Sequence, residues 1–329
     1  MLIPIVTEVD SKQLLPVGFR ERGMSLPREV IPGRTYMVTR RCSERRFFLR
    51  PDAETNNGFI YCLAIAAARS GVKIIFVHAA SNHYHAGILD PLGRFPEFLH
   101  YFHEFIAKSQ NALRGRFENF WSSEQTSVVR LVEADDVIEK MIYALTNPVK
   151  DPLVDHVGEW PGVNSYDATI NNTALTASRP KHFFREKGAM PESVEVQLTL
   201  PQGFENTPQT EFASMIKERV QAFEQSAAAE RREKGIRVLG REGILNQDWN
   251  ASPNSRAPHF KLDPRVAAKN KWARIEALAR NKAFLEAYLE ARTRLKAGAK
   301  DVVFPAGTWW LRRHASVPCA DAPPCPAPT

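Results

Sequence analysis

The chain has 329 residues, 43% of them hydrophobic and 25% charged, which is the balance of a soluble globular protein with room for two domains. No run of about 18 apolar residues occurs, which argues against a membrane-spanning helix; the opening MLIPIVTEVD has no basic segment ahead of an apolar one, so no secretory leader is expected. The net charge of +7 is uneven: residues 201–316 hold 21 Lys and Arg against 13 Asp and Glu, whereas the remainder holds 23 against 24, so a polyanion partner is expected for the C-terminal half.

Residues 1–30 lack periodicity and read as an N-terminal arm. TYMVTRRC (35–42) is rich in β-formers and ends in Arg40 and Arg41, with Arg45 and Arg46 following in ERRFFLRPD. Residues 57–71 are helical, apolar on most faces and closed by Gly71 as a C-cap. VKIIFVH (72–78) is a continuous apolar run, as expected of a buried central strand. HYHAGIL follows; alternate side chains of a strand share a face, so His83 and His85 lie side by side, with Gly87 next in line and Tyr84, Ala86 and Ile88 on the other face. Residues 95–117 repeat Phe and Leu at helical spacing and carry Lys108, Arg114 and Arg116, and TSVVRLV (126–132) is a further strand. Strand, helix, strand, strand, helix, strand is the ferredoxin-like, RRM-like βαββαβ order, an α+β fold with helices on one sheet face and the other face available to a ligand.

A helix over 133–149 then carries Val137, Ile138, Met141, Ile142 and Leu145 on one stripe, with Tyr143 off it. Asn147 stands at i+4 from Tyr143, and Pro148 ends the helix. Residues 166–205 mix Pro, Gly, Asn and Thr and read as a connector. A basic, mainly α-helical C-terminal domain is expected over 206–316, with one broken or two consecutive helices near its end, and a disordered Pro/Ala tail over 317–329. Cys42, Cys62, Cys319 and Cys325 have neither a disulfide framework nor paired zinc spacing, which fits a reducing cytoplasm.

Asn82-His83-Tyr84-His85, followed about 60 residues on by Tyr143-Ala-Leu-Thr-Asn147-Pro148-Val149, resembles the single-tyrosine HUH transposases. Within them it is most similar to the insertion-sequence-200-like group and the REP-associated tyrosine transposases, over residues 31–165. One departure is Ala80-Ser81, where that family usually has Met-Pro before Asn-His. The resemblance implies a catalytic domain over 31–165 in which Tyr143 is the nucleophile of a 5′-phosphotyrosine intermediate. His83, His85 and Asn147 are then ligands of a divalent ion, Mg2+ or Mn2+. It implies single-stranded or hairpin DNA as substrate, nicked and rejoined by a monomer or homodimer. Arg40, Arg41, Arg45, Arg46, Lys108, Arg114 and Arg116 are the candidate phosphate contacts, Trp121 a candidate base-stacking platform, and Gly87 a gap for the phosphate.

Two other readings compete. A zinc hydrolase built on His78, His83 and His85 lacks an H-E-x-x-H motif or a nearby glutamate base. A non-catalytic RRM-like nucleic-acid-binding protein derived from a transposase calls for an aromatic pair on an open sheet face.

Overall fold

The computed structural model describes residues 26–255 and 264–322. β1 (Arg34–Arg41), α1 (Ala53–Ser70), β2 (Lys73–Ala79), β3 (His83–Asp90), α2 (Phe95–Leu113), β4 (Ser127–Leu131) and α3 (Ala134–Leu145) follow in that order, as the periodicities predict. Asp52 caps α1 by accepting from the Thr55 N–H at 2.8 Å, and Gly71 ends it in the left-handed region at φ 75°. Glu133 and Asp136 form a reciprocal capping box at the start of α3. Pro148 supplies no N–H to continue that helix, and the chain restarts as the single turn α4 (Asn147–Lys150).

The sheet has the order β2-β3-β1-β4, every neighbouring pair antiparallel, and is extended by the two-residue β7 (Val266–Ala267) alongside β4 in parallel. β1 and β3 run in register from Arg34 opposite Asp90 to Arg41 opposite His83. Tyr36, Val38, Tyr84, Ala86 and Ile88 leave one face and pack against Phe59 and Leu63 of α1 and Phe98, Phe102 and Ile106 of α2. Met37, Ile75, Phe76 and Leu131 leave the other and pack against Val137, Ile138 and Met141 of α3.

That second face is not open. The chain continues through α5 (Tyr166–Ile170), the hairpin β5 (Leu175–Ser178) and β6 (Ser193–Val196), and α6 (Gln209–Lys234). Phe212, Ile216 and Val220 of α6 complete the cluster begun by α3. The expectation of helices on one side only therefore fails, and with it the open aromatic face that an RRM-like binder needs. The hairpin lies in the stretch read as a connector and packs on α1, where Ala177 joins Tyr61 and Ile65.

The C-terminal half is not a separate helical body either. α6, α7 (Gly240–Leu245, through Ile244) and β7 are built into the same core and sheet. α8 (Lys271–Lys296) is one helix rather than two, and α9 (Trp310–His314) follows it. Of the arm, residues 1–25 lie outside the described residues, but Val30 is buried and its N–H donates to the Gly307 carbonyl at 3.0 Å. Of the tail, residues 323–329 lie outside; ahead of them Phe304 exchanges backbone hydrogen bonds of 2.8 Å with Pro318 and Ala320.

Gly87 has a different role from the one its position suggests. The β2–β3 register shifts between Ile74 and Phe76, so Ile75 and Phe76 both turn toward the α3 face. The Phe76 ring fills the space beside Gly87, where an added Cβ would lie 2.1 Å from a ring carbon. No gap for a phosphate exists there. Gly87→Ala should destabilise the protein by about 3 kcal/mol or more, because a fully buried ring has nowhere to go. Urea unfolding measures this as a lower midpoint; an unchanged midpoint would show that the bulge yields freely.

Candidate active site

β3 presents His83 and His85 from one face with ring centroids 4.8 Å apart. His83 is half-buried at the strand end and His85 is 5% exposed. α3 sets Tyr143 over them: its ring lies 5.6 Å from that of His85, edge to face. Tyr143 is 39% exposed, consistent with its place off the buried stripe of α3. Lys150, at the end of α4, holds its ammonium 4.8 Å from the centre of the tyrosine ring. Strand and helix belong to one chain, so the grouping needs no second copy.

Both histidines are held by their Nδ1 atoms. The His83 Nδ1–H donates to Asn82 Oδ1 at 2.7 Å, since an amide oxygen only accepts. Asn82 is fixed in turn, its Nδ2 donating to the Arg45 carbonyl at 3.2 Å. His85 Nδ1 meets the Thr39 hydroxyl at 2.7 Å. Nε2 of each ring takes no part in these contacts, and His85 Nε2 is buried with no hydrogen-bond partner. Burial, reinforced by Arg41 and Arg45, pulls the His83 pKa down to about 4. Burial, His83, His78 and Lys150 together hold His85 well below the ordinary histidine value. Both rings are therefore neutral near pH 7, with a lone pair to give.

Asn147 is no longer on the helix that carries Tyr143, because α3 ends at Leu145 and the chain breaks at Thr146, just ahead of Asn147 and Pro148. It is buried, and its Oδ1 has no hydrogen-bond partner. Its amide comes near enough to His78 to raise that ring's pKa, yet His78 Nε2 is likewise left without a hydrogen-bond partner. His78 sits opposite His85 in the β2–β3 register, fully buried against Trp160. Burial and the neighbouring His83 take its pKa down to about 3. Buried, unpaired Nε2 and Oδ1 atoms are a donor set that suits a divalent cation with mixed nitrogen and oxygen ligation. Among the described residues no group of three or more His, Cys, Asp or Glu is placed to hold a metal, which removes support from a three-histidine zinc centre.

The seven basic candidates divide. Arg41 lies opposite His83 in the sheet, ion-paired with Glu124 at 2.8 Å on the surface. Arg45 bonds Ser255, and Arg46 bonds Glu44 and Asn250 in the turn after β1. Arg116 covers the Phe48 ring at 3.6 Å and feels the charge of Arg46. Arg41 and Arg45 put their charge on His83, and Arg46 and Arg116 stand at the turn that follows β1.

The other three lie elsewhere. Arg40 points to the opposite face, bonded to His103 at 2.6 Å and lying over Trp121. Arg114 is buried in an ion pair with Asp52 at 3.0 Å. Lys108 pairs with Glu104 on α2, behind the sheet. Trp121 is buried, its Nε1–H donating to the His103 carbonyl, so it is core and no stacking platform.

Sequence reasoning passed over Thr39, the clamp made by Asn82, and Lys150. Thr39 was findable, since a cross-strand partner of His85 must come from β1. The Asn82 clamp depends on Glu44 and Arg45 at φ 52° and 58°, a left-handed pair of non-glycine residues that no local pattern announces. We expect Asn82→Ala to weaken divalent-ion binding about 10- to 100-fold while the fold persists. Mn2+ titration followed by electron paramagnetic resonance checks this, and unchanged affinity would make Asn82 a turn residue only.

No protein-family model matches the sequence, and no curated protein matches it. Among solved structures, it is similar to a REP-associated tyrosine transposase bound to a REP hairpin, with 16% identity and a TM-score of 0.36 over 54% of this chain and 97% of that one. It is also similar to a candidate transposase from Deinococcus radiodurans R1, with 15% identity and a TM-score of 0.27 over 36% of this chain and 93% of that one.

Proposed function

We propose that this protein is a metal-dependent single-stranded DNA endonuclease and strand transferase of the single-tyrosine HUH, REP-associated type, built on a ferredoxin-like domain and acting on hairpin-bearing DNA. One observation carries the reading: an accessible tyrosine stands against a neutral histidine pair in which His85 Nε2, like the nearby Asn147 oxygen, is buried and unpaired.

The Tyr143 oxygen attacks the scissile phosphorus. A phosphotyrosine ester forms on the 5′ side, the P–O3′ bond breaks, and the phenol proton passes to water while the 3′-oxygen leaves as a hydroxyl. The ester conserves the bond energy, so rejoining needs no nucleotide cofactor. His83, His85 and Asn147 would hold Mg2+ or Mn2+, which would supply Lewis-acid polarisation of the phosphate and a template for in-line attack. Lys150 sets positive charge beside the ring, where the phosphate's negative charge must sit. Arg41, Arg45, Arg46 and Arg116 give the incoming strand a basic surface without reading its sequence.

The reading calls for one chain per site, as a monomer or within a homodimer, in a reducing cytoplasm. Cys42, Cys62 and Cys319 are all free thiols, and no described helix is long and apolar enough to cross a membrane. The test is a hairpin-bearing single strand incubated with protein in Mn2+ or in EDTA. A covalent adduct on a denaturing gel, present only with metal, is the expected result. Binding without any adduct under all metals would sink the enzymatic reading and leave a DNA-binding protein.

A further inference from the structure

At the end of β1 away from His83, and on the α1/α2 side of the sheet, a cleft opens between β4, β7 and α8. Arg34, Tyr36, Arg130 and Arg265 line it, with Phe95 and Ala277 as apolar walls. Its empty space, counted out into open solvent, is about 390 Å3. Tyr36 stands opposite Arg130 in the β1–β4 register, and Arg34 lies two residues before Tyr36, so all three leave the same face.

Tyr36 Oη and Arg34 Nη2 have no partner at hydrogen-bond geometry, although Arg34 stands close enough to the phenol to act on it, and their residues are only 4% and 9% exposed. Buried donors are rarely left so, and two on one wall need a reason. Burial pushes the Tyr36 phenol up to about 12 against the pull of Arg34, so it remains a proton donor.

Positive charge is also in excess. Arg34 Nη1 pairs with Glu29 at 2.7 Å, but Glu29 is shared with Arg280 at 3.2 Å. The nearby Asp90 carboxylate is taken by the Arg94 and Phe95 N–H groups at 2.8 and 2.9 Å. Burial, and then the charges of Arg34 and Arg280, lower the Arg130 pKa against the opposing charge of the one carboxylate, Glu29, that these arginines share among the described residues.

We propose that this cleft binds a phosphoryl anion, gripped by Arg34 and Arg130 and capped by the Tyr36 hydroxyl. Three donors grouped on one sheet face can meet the three free oxygens of a tetrahedral anion, one more than a carboxylate offers. The phosphoryl group belongs to a nucleic-acid strand or to free phosphate.

The experiment is calorimetric titration of the metal-free full chain with inorganic phosphate at fixed ionic strength. One-to-one saturable binding is expected. Tyr36→Phe should weaken it about fivefold and Arg130→Gln about tenfold or more. Without phosphate, Tyr36→Phe should melt no lower than the parent, since it removes a hydroxyl that has no partner; a purely structural hydroxyl would lower the melting temperature.

Should Arg130→Gln not fold, Tyr36→Phe carries the test alone. Absence of saturable binding, or parental affinity in the variants, overturns the proposal. A 5′-phosphorylated oligonucleotide that displaces phosphate supports the site with nucleic acid as the source; failure to displace supports it with free phosphate. His85→Ala should leave the phosphate titration unchanged, so this site stands or falls apart from the tyrosine–histidine reading.

Discussion

Tyr143→Phe should abolish strand cleavage and the covalent protein–DNA adduct, a loss of about a thousandfold or more, while DNA affinity stays within about a factor of ten. The asymmetry follows from what is removed. In the proposed reaction the hydroxyl is the nucleophile, and without it no phosphotyrosine ester can form; as a binding contact it is one hydrogen bond worth about 1 kcal/mol. The side chain is 39% exposed, so the fold should not notice the change.

The competing tyrosines are placed badly for the task. Tyr84 and Tyr61 are fully buried, Tyr84 with its hydroxyl bonded to His103 and Tyr61 donating to the Pro191 carbonyl. Tyr36 is at the far end of β1, Tyr101 stacks beside Phe105, and Tyr288 packs on Phe304. Tyr166, the sequence's main rival, packs against the cluster shared by α3 and α6, and burial raises its pKa. An adduct that persists in Tyr143→Phe and maps by mass spectrometry to Tyr166 would overturn the assignment.

Features set by local periodicity were legible in the sequence. A period of two put His83 and His85 on one face, and a helical stripe left Tyr143 off the core. The same periods yielded the order of the first six elements. What escaped depends on contacts between distant segments. Gly87 looked like free space because the bulge that turns Phe76 into it belongs to another strand. Arg40 looked like its neighbour Arg41, yet one residue along a strand reverses the face and sends it to His103.

The C-terminal half was misjudged by its composition. Its charge is on the surface, but Phe212, Ile216 and Val220, at four-residue spacing, bury one side of α6 in the main core. Removing residues 201–329 would therefore strip the core that backs α3, and could not isolate a DNA-binding contribution. The two-residue β7 has too little pattern to find at all.

His85→Ala should raise the dissociation constant for Mn2+ by about 100-fold or more and remove metal-dependent cleavage with it. The ring's two nitrogens are in different surroundings. Nδ1 is occupied by the Thr39 hydroxyl at 2.7 Å, whereas Nε2 is buried and unpaired. Burial and its charged neighbours hold the ring's pKa down, and with the remaining proton on Nδ1 toward Thr39 the Nε2 lone pair is kept for a cation.

Replacement by alanine deletes that donor and leaves only His83 and Asn147 of the proposed ligand set, too few to order a phosphate for attack. Some loss of stability will accompany the change, since a 5% exposed ring is removed from beneath Tyr143, so circular dichroism and a melting curve must accompany the assay. Thr39→Val separates ligand from support: it keeps Nε2 but frees the ring to turn, and should weaken Mn2+ about tenfold, less than His85→Ala does. A folded His85→Ala protein that binds Mn2+ as the parent does, measured by electron paramagnetic resonance of the free ion, would remove the histidine pair from the metal site whatever happens to cleavage.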